Sequence, residues 1–511
     1  MSGIVLSAAV RQNLLSLQST AALLATTQNN LATGNKVNTA LDNPTEFFTA
    51  QGLNNRASDI GNLLDSIGNG VQVLQAANTG ITSLSALVAN AQSIANQVLQ
   101  SPVGYSTKSN VTSAAISGAT ANNLLGPNTN ALVTGTVVTG AATTGTLLSA
   151  ITSAPVAGTD NLVIDGKTIS FTSSGGNTFT ANGEALDLTT ATVGDLLAAV
   201  DGITGATTPS TLNGTKLVLS TGTTTPLVIG GLAGTLTKFG LTAGTTQLIA
   251  PALQGQTLTI GATGGGTATS ITFGTGSGQI SSLNALNTAL AANNLQASIS
   301  TSGAINIVTS NNAASATIGT IGGTATPFAA LAAGAPVADP NSQATRVGLV
   351  AQYNNVLQQI NTTAQDSSFN GINLLNGDTL NLTFDETGAS KLAITGVTFN
   401  DAGLGLSTLT ANVDFLDSNS ANKVLSQLTA ASTTLRGEAS NLGSNLSIVQ
   451  IRQDFNKNLI NVLQTGASNL TLADANQEAA NSQALSTRQS IAVSALALAN
   501  QSQQSVLQLL R

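Results

Sequence analysis

The sequence predicts an α+β multidomain chain in which long, antiparallel, coiled-coil-like helices from both termini flank a central β-rich insert. The first observation is a heptad over residues 10–31, whose apolar positions are alternately four and three residues apart. The second is the stretch 483–511, which contains no Gly or Pro and carries side-chain charge only at Arg488 and Arg511, as expected of one continuous helix. The third is a Thr-, Gly-, Ser- and Ala-rich segment, about 102–340, whose apolar residues recur at the period of two that is typical of strands.

Both terminal helices have more apolar surface than one partner helix can cover. In the C-terminal stretch Ile491 and Leu498 share one face, whereas Leu496 and Leu507 lie elsewhere. A helix that is apolar over most of its circumference must be buried on most sides. We therefore predict that the two ends pair with each other and that the pair then self-associates with further copies. The residues predicted to carry this contact are Val10, Leu14, Leu17, Leu24, Leu31, Ile491, Leu496, Leu498, Val506, Leu507 and Leu510.

The composition argues against several classes of function. Charged residues make up 7% of the 511-residue chain, against about 25% in ordinary globular proteins. A net charge of −7 disfavours nucleic acid and membrane surfaces as partners, since both attract clustered Lys and Arg. The chain has no His and no Cys, which removes the commonest general base, thiol nucleophiles and the usual metal ligands. We expect no enzymatic activity, no catalytic residues, no cofactor and no metal site.

Heptad spacing also predicts the helices between the termini and the insert. One helix begins after Pro44, keeps its seam from Ile60 to Val98 and stops before Pro102. Beyond the insert, the predicted elements are a helix over 347–365, strands over 380–384 and 392–397, and a helix from 419, with an interruption flanked by Gly466 and Asp474.

The insert itself shows an internal repeat. A strand pair, a helix and a second strand pair occur in 151–245 and again in 246–335. Matching positions include Leu162 with Leu258, Phe171 with Phe273, and Ile229-Gly230-Gly231 with Ile321-Gly322-Gly323. We therefore predict two duplicated strand-strand-helix-strand-strand modules. Two similar modules side by side favour a passive scaffold over a single pocket.

Two short motifs have a simple structural explanation. Gly166-Lys167-Thr168 resembles the end of a phosphate loop, but Asn161 stands where that loop requires its first Gly. The adjacent carboxylates Asp385 and Glu386 precede Thr387-Gly388 in a predicted turn. We predict a hairpin turn at each position.

Both ends of the chain contain short recognisable motifs. At the N-terminal end they are Asn13-Leu14, 30–34 with Lys36-Val37-Asn38, and Asp42. At the C-terminal end they are more specific and comprise Leu442-Gly443 with Asn445, Asn469-Leu470, Ala473-Asp474, 483–489 and 499–510. These motifs give both ends a resemblance to bacterial flagellin, the subunit of the flagellar filament. It covers about 100 residues at the start and about 165 at the end of the chain, and the insert resembles the repeated modules of flagellins and of cap or hook-associated proteins.

The resemblance implies three structural layers. Residues 1–40 with 470–511 would form inner-core helices, 41–150 with 336–469 a helical shell with a β-hairpin, and 151–335 an outward insert. It implies a structural subunit that polymerises into the extracellular filament used for swimming motility. It also implies export through the flagellar type III apparatus without a cleaved signal peptide, and the N-terminal residues lack a basic leader. The implied partners are further copies of itself, the export apparatus, a flagellin chaperone, and the hook-associated junction and cap proteins.

Two alternatives remain open from the sequence alone. The hook–filament junction protein has similar ends, although the terminal residues 499–511 favour the filament subunit. A secreted adhesin or glycan-binding repeat protein is a second alternative, because the central modules could bind sugars.

Overall fold

The structure, a computed structural model, describes residues 8–138, 142–151, 155–180 and 183–509. The helices of this part are α1 (Ala8–Thr33), α2 (Pro44–Gln100), α3 (Val193–Thr204), α4 (Ala233–Lys238), α5 (Leu283–Ala291), α6 (Pro340–Asp366), α7 (Ser418–Thr471) and α8 (Ala475–Leu509), with 3₁₀ turns at Leu148–Ala150, Asn311–Ala313 and Thr326–Phe328. Long helices therefore flank a central β-rich region, which confirms the predicted fold class. None of the helices in the described ranges is both long and apolar enough to cross a membrane.

The strands are short and lie mostly in the central region. Their bounds are β1 (Tyr105–Thr107), β2 (Asn110–Thr112), β3 (Leu132–Val137), β4 (Asn161–Ile164), β5 (Lys167–Thr172), β6 (Thr178–Thr180), β7 (Gly183–Asp187), β8 (Thr211–Asn213), β9 (Lys216–Ser220), β10 (Leu227–Gly231), β11 (Gly244–Thr246), β12 (Thr257–Ile260), β13 (Thr269–Thr272), β14 (Leu295–Ile299), β15 (Ile305–Thr309), β16 (Ile321–Gly323), β17 (Val337–Ala338), β18 (Thr379–Thr383) and β19 (Lys391–Thr395).

Two compact units emerge from the contacts along the chain. The first comprises residues up to 94 together with 352–408 and 425–511, and the second comprises 95–351 together with 409–424.

The second unit contains two hydrophobic cores. One is built around Phe171 and Phe239, whose rings lie 5.7 Å apart, and the other around Phe273 and Phe328 at 6.2 Å. Around the first core the strand orders are β11-β10-β4-β5-β7-β6 and β3-β9-β8, and around the second they are β13-β12-β16 and β14-β15-β2. Each core thus has a sheet that contains one hairpin, followed in the chain by a helix. In the first core the hairpin is β4–β5 and the helix is α3, whose first turn is capped by Thr192. In the second core the hairpin is β12–β13 and the helix is α5, whose first turn is capped by Ser282. The internal duplication stays a prediction, because β6 and β7 have no counterpart in the second module.

Both modules draw strands from upstream of residue 151. β2 pairs with β15, and β3 pairs with β9. Val111 and Leu124 are buried in the second core, and Val138 in the first. Residues 111–138, which the predicted boundaries left with the helical shell, therefore contribute to the module cores.

In the first unit, α2 and α7 pack through the predicted heptad positions. Ile60 and Leu463 share a cluster, and Leu74, Leu428 and Val449 are fully buried. The hairpin β18–β19 packs on the same helices: the Asn456 side-chain amide donates to the Phe384 carbonyl at 2.9 Å. Gly70 of α2 lies against this hairpin, and a Cβ there would lie 2.5 Å from Leu382 Cδ2, so that the Leu382 side chain would have to shift.

The two predicted turns are hairpin turns. Asp165 and Gly166 join β4 to β5, and both have positive φ. Asp385 organises the turn between β18 and β19 by accepting from the Ser390 amide at 2.9 Å. Glu386 is not simply solvated, since its Oε1 lies 2.7 Å from Arg56 Nε.

One predicted boundary needs a correction. The helix α7 continues through Gly466 to Thr471, and the interruption spans only 472–474. Gly466 lies inside the helix, where an added Cβ would make only an ordinary contact of 3.6 Å with Leu53 of α2, and Ala467 beside it is buried.

Candidate self-association surface

The two terminal helices, α1 and α8, lie against each other in the first unit. Helix α1 ends and helix α8 begins next to one short backbone bridge between residues 34–37 and 471–473. The Lys36 amide donates to the Thr471 carbonyl at 2.7 Å, and the Ala473 amide donates to the Gly34 carbonyl at 2.9 Å. Gly34 has φ of +73°, a left-handed conformation that glycine adopts without strain. This bridge fixes the level at which the helix pair begins.

Carboxylates fix the chain on either side of the bridge. Asp42 Oδ2 accepts from the Thr39 and Asn38 amides at 2.8 and 2.9 Å, and these bonds, with Thr39 the largest cause, lower the pKa of the Asp42 carboxyl. Asp474 precedes α8, and its Oδ1 accepts from the Asn476 amide at 2.9 Å. A carboxylate at a helix N-terminus caps free amides and complements the helix dipole.

The contact between α1 and α8 is a single, partly polar stripe. On α1 the buried residues are Val10, Thr20, Thr27 and Asn30. On α8 no described side chain is fully buried, and the half-buried ones are alternately four and three residues apart. They are Glu478, Ser482, Leu485, Gln489, Ala492, Leu496 and Ala499. The Asn30 amide donates to Glu478 Oε1 at 3.3 Å across the stripe.

The predicted apolar residues divide between this stripe and the outer faces. Val10 is buried, and Leu17, Leu24 and Leu496 are half-buried. Outward-facing residues, with their exposed fractions, are Leu14 (37%), Leu31 (42%), Ile491 (64%) and Leu498 (70%). The side chains of Val506 and Leu507 and the whole of Leu510 lie outside the described residues. Within one chain, then, half of the described set stays at least 37% exposed.

Sequence reasoning missed the polar members of the stripe. Thr20 and Thr27 are seven residues apart and buried, and the Thr20 hydroxyl donates to the Ser16 carbonyl at 2.8 Å. That bond satisfies the hydroxyl inside its own helix and leaves the methyl group for packing. Their spacing of seven is a signal that an apolar-only pattern overlooks.

The outer faces of the pair are apolar and nearly uncharged. Leu15 and Leu23 add to α1, and Val493 to α8, each at least 51% exposed. No ion pair in the described part of the chain involves Glu478 or Arg488, the charged residues of α8. Nor do the described residues contain a group of three or more acidic side chains placed to hold a metal ion. The chemistry this surface offers is burial of apolar area against further apolar helices.

Comparison with known proteins matches both ends of the chain. A family model described as the bacterial flagellin N-terminal helical region matches residues 5–126, and one described as the bacterial flagellin C-terminal helical region matches residues 425–510. Flagellin FljJ of Caulobacter vibrioides is 32% identical over 170 residues, which cover 33% of this chain and 61% of that protein. Flagellin FljM of the same organism is 31% identical over 164 residues, covering 32% and 59%. Flagellin A of Rhizobium meliloti is 32% identical over 107 residues, covering 21% and 27%. The chain thus spans about three fifths of the Caulobacter relatives it matches.

Proposed function

The chain belongs to the bacterial flagellin family through its two terminal helical regions, and we propose that it is a structural subunit that polymerises into the flagellar filament used for swimming motility. The observation that carries the proposal is the outward-facing apolar surface of α1 and α8. Both helices lie within the matched regions, and that surface is left exposed by the described residues of a single copy.

Burial of this surface supplies the driving force for polymerisation. A fully buried Leu or Ile contributes about 1.5–3 kcal/mol relative to an exposed one, and at least seven large apolar side chains face outward on the two helices: Leu14, Leu15, Leu23, Leu31, Ile491, Val493 and Leu498. Charges contribute little, because exposed ion pairs are worth about 1 kcal/mol or less.

The remaining parts of the proposal follow from membership of the family. The filament subunit would be extracellular, exported through the flagellar apparatus without a cleaved leader and escorted by a flagellin chaperone, and it would contact the junction and cap proteins at the filament ends. The three layers predicted from the sequence belong to the same proposal, with the module boundary moved upstream of 151. The role is structural and not enzymatic. No observation favours a junction protein or a glycan-binding adhesin.

The test is a charge substitution on the outer face of α8. Leu498→Asp should abolish polymerisation, because it removes an apolar contact of about 1.5–3 kcal/mol and buries an unpaired carboxylate at a cost of several kcal/mol more. Arg488→Ala on the same helix, Arg511→Ala and high salt should leave polymerisation nearly unchanged. Sedimentation of seeded polymers across a salt series, with electron microscopy of the pellets, measures all of these. Normal pelleting of the Leu498→Asp variant, or dissolution of wild-type polymers by moderate salt, would contradict the proposal.

A further inference from the structure

A second apolar surface lies on α7, away from the terminal helices. Ile448, Ile451, Phe455 and Val462 are 43%, 65%, 55% and 65% exposed; together we call them the outer stripe. Their spacing of three, four and seven residues is that of a coiled-coil seam. The inner seam of the same helix, which includes Val449, Asn456 and Leu463, is buried. The helix therefore carries two seams, and among the described residues only the inner seam is covered by other parts of the chain.

A groove in the same unit offers a complementary shape. It lies between α2 and β18 and has a volume of about 350 Å³. Its lining is mixed. Leu63, Val73, Ile372, Leu380 and Leu382 are apolar, and Ser66, Asn69, Asn370, Asn381 and Thr383 are polar. Gly70 also lines it, and its missing side chain allows Leu382 to pack directly on the helix backbone. We call this feature the α2–β18 groove. Aromatic side chains such as Phe455 are the groups that most often anchor an interface by entering such a depression.

Charge complements the shape. Arg452 and Lys457 flank the outer stripe and are exposed, although Lys457 Nζ also lies 3.6 Å from Asp454. On α2, Asp59 and Asp65 are exposed close to the groove in sequence, and neither makes an ion pair within the described part of the chain. Opposite charges beside the stripe and beside the groove would orient the two surfaces and steer their encounter.

We propose that the outer stripe of one copy docks in the α2–β18 groove of the next copy. The proposal rests on the proposed polymerisation and names a second contact within it, separate from the terminal helices. An open helical polymer requires contacts of this head-to-tail kind, in which two different surfaces of one subunit meet. A stripe that met itself would close a dimer and stop growth.

The absence of cysteine from the chain makes a disulfide test direct. In a variant carrying both Phe455→Cys and Asn381→Cys, one cysteine lies in the stripe and the other on the exposed rim of the groove. Mild oxidation of the polymer should give a ladder of covalent multimers on a denaturing gel, because disulfides form when the two Cα atoms lie within about 7 Å. The matched control is Gln450→Cys with Asn381→Cys. Gln450 is also exposed on α7 but lies on the opposite flank of the inner seam.

Each outcome decides the point. A ladder from the Phe455 pair and its loss in the Gln450 control supports the docking. A polymer that forms normally but gives no ladder, or gives equal ladders from both pairs, overturns it while leaving the proposed function intact. If wild-type protein fails to polymerise, the proposed function itself fails. If the double variant alone does not polymerise, the two single-cysteine variants are copolymerised with excess wild-type protein, and absence of their crosslinked heterodimer overturns the docking.

Discussion

Arg346 is the largest fully buried side chain in the described part of the protein, with 1% exposure. Its guanidinium binds backbone carbonyls and no carboxylate. Nε donates to the Pro102 carbonyl at 2.8 Å, Nη2 to the Val98 and Ser101 carbonyls at 3.1 and 3.0 Å, and Nη1 to the Phe415 carbonyl. Burial lowers the pKa of this guanidinium, and Asp417 opposes that effect. The side chain caps the end of α2 where the chain leaves for the β region, and it ties that end to α6.

We predict that Arg346→Met destabilises the subunit strongly. The substitution keeps an apolar stem but removes the donor for four carbonyls, of which those of Val98 and Phe415 are buried and the other two partly buried. Each unsatisfied buried acceptor costs about 1–3 kcal/mol. We expect a loss of about 3 kcal/mol or more in the free energy of unfolding. Urea unfolding followed by circular dichroism measures it.

The matched control is Arg56→Met. Arg56 pairs with Glu386 at 2.7 Å, but its side chain is 51% exposed, so its removal should cost about 1 kcal/mol or less. Equal effects of the two substitutions would show that the four carbonyls do not depend on Arg346.

Local turn chemistry could be predicted at this scale, but distant partners could not. The turns at Asp165-Gly166 and at Asp385 could be predicted from the sequence, because the local conformational preferences of Gly and Asp determine them. Nothing near Arg346 in sequence distinguishes it from an exposed arginine, since its acceptors lie on segments about 245 and 69 residues away. The pairing of Arg56 with Glu386 could not be predicted for the same reason, since the two residues are far apart in the sequence.

Among the elements, existence and type were predictable and the contact face was not. Apolar periodicity correctly places α1, α2, α6 and α7, because a long periodic signal is hard to mistake, and the absence of Gly and Pro from 483–511 correctly places α8. In α1, however, the buried stripe includes Thr20, Thr27 and Asn30 rather than Leu14 and Leu31. The pattern marks the whole apolar surface of a helix. Which part meets the intrachain partner depends on the partner, and whether the exposed leucines contact other copies stays a prediction.

We predict that α1 and α8 open readily in the isolated subunit and become protected on polymerisation. In α8 no described side chain is fully buried, so local unfolding exposes little new apolar area and costs little free energy. In α7, by contrast, the side chains of Leu428, Leu435 and Val449 are 0% exposed.

Hydrogen exchange on subunit and polymer measures this difference. Amides of 485–505 should exchange rapidly in the subunit and slowly in the polymer, whereas those of α7 around Leu435 should be protected in both. Strong protection of 485–505 in the free subunit would refute the prediction and would show that the outer faces are not needed to hold the helix.

For the whole molecule, the composition break located the insert, but its true edges depend on strand pairing. The predicted edge near 151 follows the residue pattern, whereas β2 and β3 lie upstream and complete sheets with β15 and β9. Strand partners that are about 195 residues apart, as in β2 and β15, or about 85 apart, as in β3 and β9, leave no local mark on the sequence. The two chain segments that enter and leave the β-rich region meet at residues 109–110 and 334, and not near 151. There the Gly334 amide donates to the Asn110 carbonyl at 3.0 Å, and the Ser109 hydroxyl donates to the Gly334 carbonyl at 2.7 Å.

This meeting point defines a clean deletion. We predict that replacing 111–333 by a short Gly-Ser linker leaves a folded, polymerising subunit, because every residue of both module cores lies inside that range and its two ends are already hydrogen-bonded neighbours. Asp417 loses the hydrogen bond from Ser315 but still accepts from the Ser420 amide at 2.9 Å.

The comparison deletion removes 151–335. It leaves Val111, Leu124 and Val138 in the chain without the cores that bury them, and exposed apolar clusters of this kind promote aggregation. Size-exclusion chromatography and electron microscopy compare the two. If the 111–333 deletion is soluble and helical yet forms no polymer, the modules are part of the assembly contact and not an outward insert.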